Sequence, residues 1–509
     1  MRHLFLLPLL PLALSAQSPP RDLDAYVTQA LSRFDQPGVA IGVIQDGKIV
    51  FAKGWGVRRI GDPAPITAHT LFQVASNTKS VTSAALAILV SEGKLHWDDP
   101  VTDYLPWFRL GGDPYVSREL TVRDLLVHRS GLSLGAGDLL WFHSTLTREE
   151  IAHRLRFIAP GASFRSGYAY DNVLFIVAGL VVEAVSGMKW ETFVRERILG
   201  PIGMNETGTD IGMFGSGDVA SPHGRVNGRM KVIPLDSVEN TAPAGAINST
   251  ITDWLEWLRV QMDSGRVDPS LGLWGEAETR AMWSPGIWIP TGTPAAGLEA
   301  LAPNFAAYGL GWYLRDYRGL KVVFHDGGLA GMLSRAIMVP ARKLGIVVFT
   351  NAEGAAYEAL AWYVLDYYLG APRTDWVAAY LALQQNGTAA DSVFEDSAQA
   401  ARHREIGPSV PIERLAGRYT DDWYGDATFT VENGHLVMHW SHSPALTADL
   451  EHWQYDTFRA RMRAANVADA FVTFDLKYDG TVDRVTLAPV LPSTDFSFDY
   501  QDLLFRPGT

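Results

Sequence analysis

The sequence has no cysteine among its 509 residues. This absence excludes a disulfide, a thiolate nucleophile and every metal site with cysteine ligands. It also leaves the redox compartment open, because a compartment is read from how cysteine is used.

Positive charge is scarce: 43 Lys and Arg against 56 Asp and Glu give a formal net charge of −13. Such a surface is repelled by phosphate backbones and anionic lipid, so we expect no nucleic acid and no anionic membrane among the partners. Apolar residues make up 47% of the chain, which at this length fills two or more domain cores.

Long hydrophobic runs are missing after the N-terminus. Met1-Arg2-His3 is short and basic, and the apolar run from Leu4 to Leu14 is too short to span a bilayer. Ser15-Ala16-Gln17 follows as a cleavage point. We therefore predict a signal peptide at residues 1–16, export to the periplasm or the medium, and no stable membrane anchor.

The chemistry centres on Ser76 and Lys79, which lie one turn apart where the apolar helical run from Val81 to Val90 begins. A serine hydroxyl is a weak nucleophile until a base takes its proton, and a desolvated lysine amine supplies such a base. The start of a helix also offers free backbone N–H groups to an oxyanion.

The spacing alone is weak, because Ser91 and Lys94, and Ser186 and Lys189, repeat it. Glycines follow those two serines and predict that each ends its helix. Only Ser76 begins a helix that is apolar enough to be buried.

A second motif is Tyr170-Asp171-Asn172, which opens the apolar helix Val173 to Val185. A tyrosine oxygen there relays protons, and an asparagine amide holds a substrate carbonyl or orients the lysine. The alternative is that Asn172 caps the helix and Tyr170 packs.

The third motif ends an apolar, β-branched strand at His325-Asp326-Gly327-Gly328. Glycine leaves room for a substrate backbone at a strand edge, and the Gly328 N–H is a candidate second oxyanion donor. The alternative for His325 is a satisfied surface residue at a strand end.

Around these motifs the patterns predict helices and antiparallel strands. Asp46-Gly47 is typical of a hairpin turn between two strands. The predicted elements are helix Leu23–Phe34, strands Gly38–Gln45 and Lys48–Gly56, helix Val122–His128, strands Leu333–Pro340 and Leu344–Asn351, and helix Ala355–Leu369. Residues 211–240 and 266–305, with Trp274, Trp283 and Trp288, either wall the substrate pocket or pack on the surface.

The C-terminal part has a different pattern. Residues 371–408 are predicted to be a polar, partly helical linker, and from Ile412 short alternating strands indicate an all-β barrel or sandwich over residues 409–509. His435, His439 and His442 lie on alternating strand positions, which favours surface histidines over metal ligands.

Taken together, the three motifs and their order resemble the serine hydrolases of the penicillin-binding-protein and class C β-lactamase superfamily. Supporting flanks are Gly93–Leu95 with Asp98–Val101, His128–Leu132, Pro243–Gly245, Tyr308–Trp312 and Thr350-Asn351. The resemblance covers residues 22–370 and implies an α+β fold (an α/β β-lactamase-like domain), in which an antiparallel sheet is flanked by helices and an all-helical region. It also implies that the C-terminal part is a lipocalin-like domain.

The resemblance further implies roles for single residues. Ser76 is the acylated nucleophile, and Lys79 and Tyr170 are the proton-transfer pair. Asn172 and His325 lie at substrate-binding positions, with Gly327 beside them and the N–H groups of Ser76 and Gly328 as the oxyanion hole. No metal and no cofactor are implied.

The departure from a β-lactamase is the third motif, where a lysine usually meets the carboxylate of the antibiotic and this chain has His325. That form is more like the esterases and D-amino-acid-specific peptidases of the superfamily. We expect a hydrolase acting on a D-residue-containing peptide or a small ester. The alternatives are a β-lactamase or DD-peptidase/transpeptidase, and a penicillin-binding sensor or scaffold without turnover.

Overall fold

The structure, a computed structural model, describes residues 18–464 and 466–508. The predicted signal peptide lies outside these residues. The helices are α1 Leu23–Phe34, α2 Thr78–Ser91, α3 Val101–Tyr104, α4 Pro114–Glu119, α5 Val122–Leu125, α6 Arg148–Arg154, α7 Val173–Ser186, α8 Trp190–Val194, α9 Gly200–Ile202, α10 Ala242–Gly245, α11 Ile251–Met262, α12 Glu276–Met282, α13 Ala356–Leu369 and α14 Trp376–Ala401.

Within the described residues, the strands form two large sheets and three short pairs. In chain order they are β1 Gly38–Gln45, β2 Lys48–Gly56, β3 Phe72–Gln73, β4 His223–Val226, β5 Arg229–Val232, β6 Asn248–Ser249, β7 Arg266–Asp268, β8 Leu271–Gly272, β9 Ile287–Trp288, β10 Ala306–Tyr308, β11 Tyr313–Tyr317, β12 Leu320–Leu329, β13 Met332–Val339, β14 Leu344–Thr350, β15 Gly417–Asp421, β16 Gly425–Glu432, β17 His435–Trp440, β18 Ala448–Gln454, β19 Thr457–Met462, β20 Ala470–Leu476, β21 Val482–Pro489 and β22 Leu504–Pro507.

The central sheet has eight strands in the order β2-β1-β14-β13-β12-β11-β10-β9, and its neighbours pair antiparallel. Both faces of the sheet are covered. Val39, Ile41 and Val43 of β1 join a core shared with α1 and α13, whereas Ala40 and Ile44 belong to the larger core. Burial on both sides explains why β1 is almost wholly apolar. The predicted hairpin and antiparallel sheet are confirmed.

Beside the sheet lies the helical region, centred on α2 and α7. Nearly every residue of α2 is buried, and α7 packs against it. In residues 18–464 and 466–508 no single helix is long and apolar enough to cross a membrane; α7 with the bent segment Trp190–Ile202 passes only on combined length and composition.

One predicted helix is too long. The helix expected from Val122 to His128 ends at Leu125, and His128 takes a left-handed φ of 58°. The side chain of His128 is buried, and its Nδ1 accepts a hydrogen bond from the Asp171 N–H at 3.0 Å. The helix ends early because Asp171 of the second motif holds His128 in a turn. The residues next to His128 in sequence give no sign of this contact.

The predicted polar linker contains α14, a single helix of 26 residues. Its first turns are buried through Trp376, Val377 and Tyr380, and the remainder is largely exposed. The exposed part of α14 explains the polar composition from which we predicted a linker.

After α14 comes a closed eight-stranded antiparallel barrel, β15 to β22, which confirms the all-β prediction. Aromatic side chains fill its interior, since the rings of Tyr419, Phe429, Phe458 and Phe474 are buried and contact one another. This barrel is therefore packed with its own side chains.

Candidate active site

Ser76 lies in a 3-10 turn, Ala75–Asn77, that leads directly into α2. Ala75 adopts a left-handed φ of 48°, unusual for a residue with a side chain, and this sharp bend leaves Ser76 half-buried among fully buried neighbours. The serines of the other two Ser-x-x-Lys pairs lie at helix ends, as predicted: Ser91 ends α2 and Ser186 ends α7.

Lys79 is fully buried, and its Nζ donates to three oxygen atoms. These are Ser76 Oγ at 2.9 Å, Asn172 Oδ1 at 2.7 Å and the Ala244 carbonyl at 3.1 Å. Burial lowers the pKa of Lys79 to about 7, because the charged ammonium loses its hydration. Near neutral pH the amine is therefore able to accept the proton of Ser76.

Tyr170 is buried against the same lysine, with Nζ 4.8 Å from its ring centroid, and its hydroxyl hydrogen-bonds Ser76. Burial raises the pKa of Tyr170 well above its ordinary value, so the side chain stays a phenol. The phenol can pass a proton on, but the free base of the site is Lys79.

Asn172 precedes α7, but its side chain makes no capping hydrogen bond, which removes the capping interpretation. It bridges two buried groups instead. Its Oδ1 accepts from Lys79, and its Nδ2 donates to Asp138 Oδ2 at 2.8 Å. The amide thereby fixes the position of the lysine.

Asp138 is a site residue that the sequence analysis missed. Its carboxylate is fully buried and also accepts from Trp141 Nε1 at 2.8 Å. Burial raises the pKa of Asp138 to about 7, and hydrogen bonds from Trp141 and Asn172 oppose that rise. Asp138 belongs to no motif, so only its place in the fold reveals it.

His325 is also buried, and both of its ring nitrogens are bonded within the protein. Nδ1 lies 2.5 Å from the Asp326 carbonyl and Nε2 lies 2.7 Å from the Tyr308 hydroxyl. The carbonyl can only accept, so Nδ1 carries the proton and Nε2 accepts from the tyrosine. Burial lowers the pKa of His325 to about 3, so the third motif carries no positive charge at neutral pH.

Gly327 brings β12 against Ser76. A Cβ built on it would lie 3.0 Å from the Ser76 nitrogen and 2.1 Å from the Val74 carbonyl oxygen. No side chain fits in that space, which is why glycine is required here. Gly328 lines the same cavity as Ser76, as the oxyanion prediction requires.

A cavity of about 520 Å³ opens above Ser76. It is bordered by Ser76, Tyr170, Asn172, His325, Gly327 and Gly328, so six of the seven predicted site residues line it and Lys79 lies against Ser76. Its walls are largely aromatic, with Trp141, Tyr168, Tyr313, Phe324, Tyr357 and Phe496. None of the described residues around it is a lysine or an arginine.

The two Gly- and Pro-rich stretches contribute little to these walls. Val238 is one wall residue from 211–240, whereas no described residue of 266–305 borders this cavity. Trp274 and Trp283 are buried in the core and Trp288 is 61% exposed. Surface packing, one of the two alternatives, therefore holds for Trp288 alone, whereas Trp274 and Trp283 are core residues that neither alternative predicted.

Two of the barrel histidines contact carboxylates. His435 lies 3.0 Å from Asp449, and His439 lies 3.0 Å from Glu432. Among residues 18–464 and 466–508, no group of three or more His, Asp or Glu is arranged to hold a metal ion.

The fold and this site define a class: a β-lactamase-like domain with a half-buried serine and a buried amine beside it. Residues 23–369 match the Beta-lactamase family, and the chain belongs to that family of penicillin-binding-protein-like serine hydrolases. Residues 401–507 match a domain of unknown function, DUF3471.

The relatives with assigned names are distant. The chain is 26% identical to the unguisins hydrolase ungD of Aspergillus violaceofuscus over 86% of this chain and 82% of the relative. It is 28% identical to penicillin-binding protein 4 of Amycolatopsis lactamdurans over 62% of this chain and 81% of the relative.

Among solved structures, the octameric penicillin-binding protein homologue from Pyrococcus abyssi matches 95% of this chain and 99% of its own, with a TM-score of 0.60 and 22% identity. This likeness shows that the two-domain fold is shared across nearly the full length of both chains.

Proposed function

We propose that the protein is an exported hydrolase that cleaves an amide or ester bond through a covalent ester on Ser76. One observation carries the proposal: Ser76 Oγ lies 2.9 Å from the buried amine of Lys79 beneath an open cavity. A serine and a base within hydrogen-bond reach are what nucleophilic catalysis needs.

In the acylation step, neutral Lys79 takes the proton of Ser76 Oγ as that oxygen bonds to the substrate carbonyl carbon. The N–H groups of Ser76 and Gly328 stabilise the oxyanion. The phenol of Tyr170 gives its proton to the leaving group and regains one from Lys79. Water then attacks the ester, and Ser76 Oγ recovers its proton as the acid is released.

The absence of a lysine or arginine among the described residues that border the cavity supports a substrate class. A β-lactam or a DD-peptidase substrate presents a carboxylate, which a fixed cation would hold, and His325 is neutral here. Aromatic walls suit apolar groups instead. We therefore favour a D-residue-containing peptide or a small ester, as in the esterase and D-aminopeptidase branch of the superfamily.

The names of the relatives point to the same chemistry. One relative is named a hydrolase of unguisins and another a penicillin-binding protein, which leaves a β-lactamase or DD-peptidase as the second candidate. Export rests on the N-terminal sequence, with its short basic start and apolar run.

The test is a substrate screen with purified protein and Ser76→Ala as the control. p-Nitrophenyl esters and L- and D-aminoacyl anilides should be hydrolysed faster than nitrocefin, a β-lactam. Preferred turnover of nitrocefin would support the second candidate. Equal turnover by Ser76→Ala would reject the serine mechanism.

A further inference from the structure

A segment of the barrel, Asp495–Asp499, reaches into the active site. It lies between β21 and β22, more than 400 residues from Ser76 in sequence. Asp495, Phe496 and Ser497 nevertheless border the same cavity as Ser76. The cavity is thus formed by both domains.

Asp499 hydrogen-bonds the backbone of the turn that contains Asp138. Its carboxylate is fully buried and accepts from the Gly137 N–H at 2.6 Å and the Leu139 N–H at 3.2 Å. These are the two residues on either side of Asp138. The Ser497 hydroxyl also donates a hydrogen bond to the Asp138 carboxylate. The barrel therefore holds both the backbone and the side chain at this position.

The catalytic domain is shaped to admit the segment. A Cβ on Gly135 would lie 2.3 Å from the Phe496 carbonyl oxygen, so a side chain there would exclude it. The Phe496 ring packs edge-on against Tyr170 at 5.7 Å between centroids. The Gly135 N–H donates to the Tyr170 carbonyl at 2.9 Å, so the same loop supports the phenol.

These contacts form one continuous chain of hydrogen bonds to the base. Asp138 accepts from Asn172 at 2.8 Å, and Asn172 accepts from Lys79 at 2.7 Å. We infer that Ser497 and Asp499 are positioning residues, which orient Asp138, and through Asn172 the amine of Lys79, for attack by Ser76. The inference rests on the proposed function of Ser76 and Lys79.

The barrel is also attached at other points. The Thr145 N–H donates to the His442 carbonyl at 2.9 Å, and Arg154 Nη1 donates to the Trp423 carbonyl at 2.9 Å. Neither contact involves Ser497 or Asp499. We therefore expect substitutions in the segment to disturb the site without detaching the domain.

The experiment compares full-length Ser497→Ala, Asp499→Asn and Ser493→Ala. Ser493 is the matched control, because it lies in the same loop but donates to Asp391 Oδ2 of α14 at 2.7 Å, outside the cavity. The kcat and KM for a p-nitrophenyl ester, the rate of labelling by a fluorophosphonate and the Tm are measured for each.

Ser497→Ala should lower kcat about two- to tenfold with KM within about twofold of wild type, because one hydrogen bond to Asp138 is lost. Asp499→Asn should lower kcat about five- to a hundredfold, because the two backbone N–H groups bond different side-chain oxygens and the substitution replaces one of these oxygens by an NH2 donor. Ser497→Thr keeps the hydroxyl and should restore the rate. Ser493→Ala should match wild type.

Wild-type kcat in both Ser497→Ala and Asp499→Asn would overturn the inference, as would a loss that Ser493→Ala shares. A crystal structure of Asp499→Asn decides without reference to turnover: displaced Asp138, Asn172 and Lys79 side chains support positioning, and unmoved ones reject it. Absence of labelling in wild type would instead refute the proposed function.

Discussion

Replacing Lys79 by arginine removes the one property that the proposed mechanism needs, a neutral amine. With a pKa of about 7, Lys79 is neutral in about half of the molecules at pH 7. An ordinary lysine would be neutral in only about one molecule in 2,500, and an arginine, with a pKa above about 12, in fewer than one in 100,000. Lys79→Arg should therefore lose the base, at a cost of about 10²- to 10⁴-fold in kcat/KM.

The assay follows kcat/KM for an uncharged p-nitrophenyl ester from pH 5.5 to 9. In wild type the rate should fall as pH drops through about 7, because protonation consumes the neutral amine. At pH 6 about one tenth of the plateau should remain, which is the neutral fraction one pH unit below the pKa. Asp138 has a pKa near the same value, so the fall in rate at low pH reflects the coupled titration of Lys79 and Asp138.

Lys94→Arg is the matched control, because Lys94 has the same Ser-x-x-Lys spacing to Ser91 but lies outside the site, and its side chain is half exposed. It should leave rate and pH profile unchanged. The reasoning is refuted if Lys79→Arg retains activity within about threefold of wild type, or if the wild-type limb lies above pH 9.

Three further substitutions test other residues of the site. Tyr170→Phe should slow kcat by about 10²-fold or more, because the proton relay to the leaving group is lost; a wild-type rate would assign all proton transfer to Lys79. Gly327→Ala should lower stability by about 1–3 kcal/mol in denaturant unfolding, because its Cβ would lie 2.1 Å from a backbone oxygen, whereas Gly167→Ala, with open space around it, should not. Asp138→Asn should move the acid limb to lower pH, because the Asp138 charge raises the pKa of Lys79; an unmoved limb would contradict their coupling.

The sequence predicted those parts of the fold that depend on local pattern. The hairpin at Asp46-Gly47, helices α1, α7 and α13, and the strands β12 to β14 each have a periodicity or a turn that is sufficient alone. The helix through His128 was wrong because a tertiary contact from Asp171 fixes that residue in a turn. No pattern within the segment records such a contact.

The site was predictable where short motifs carry it. Ser76 with Lys79, and Tyr170 with Asn172, are close in sequence, so spacing and flanks identified them. Asp138 was not predictable, because a buried aspartate after Gly137 resembles an ordinary turn.

The barrel contribution was equally hidden. Asp499 reaches Gly137 across 362 positions of sequence, and that distance leaves no local pattern to read. Contacts of this kind arise from domain packing, which only the folded chain shows.

The central claim is that Ser76 is the nucleophile and forms the covalent bond to the reagent or substrate. Intact-protein mass spectrometry after treatment with a fluorophosphonate, followed by peptide mapping, tests it most directly. The account predicts one adduct, located on Ser76, present in Ser91→Ala and absent from Ser76→Ala. An adduct on another residue, or one that persists in Ser76→Ala, would contradict it.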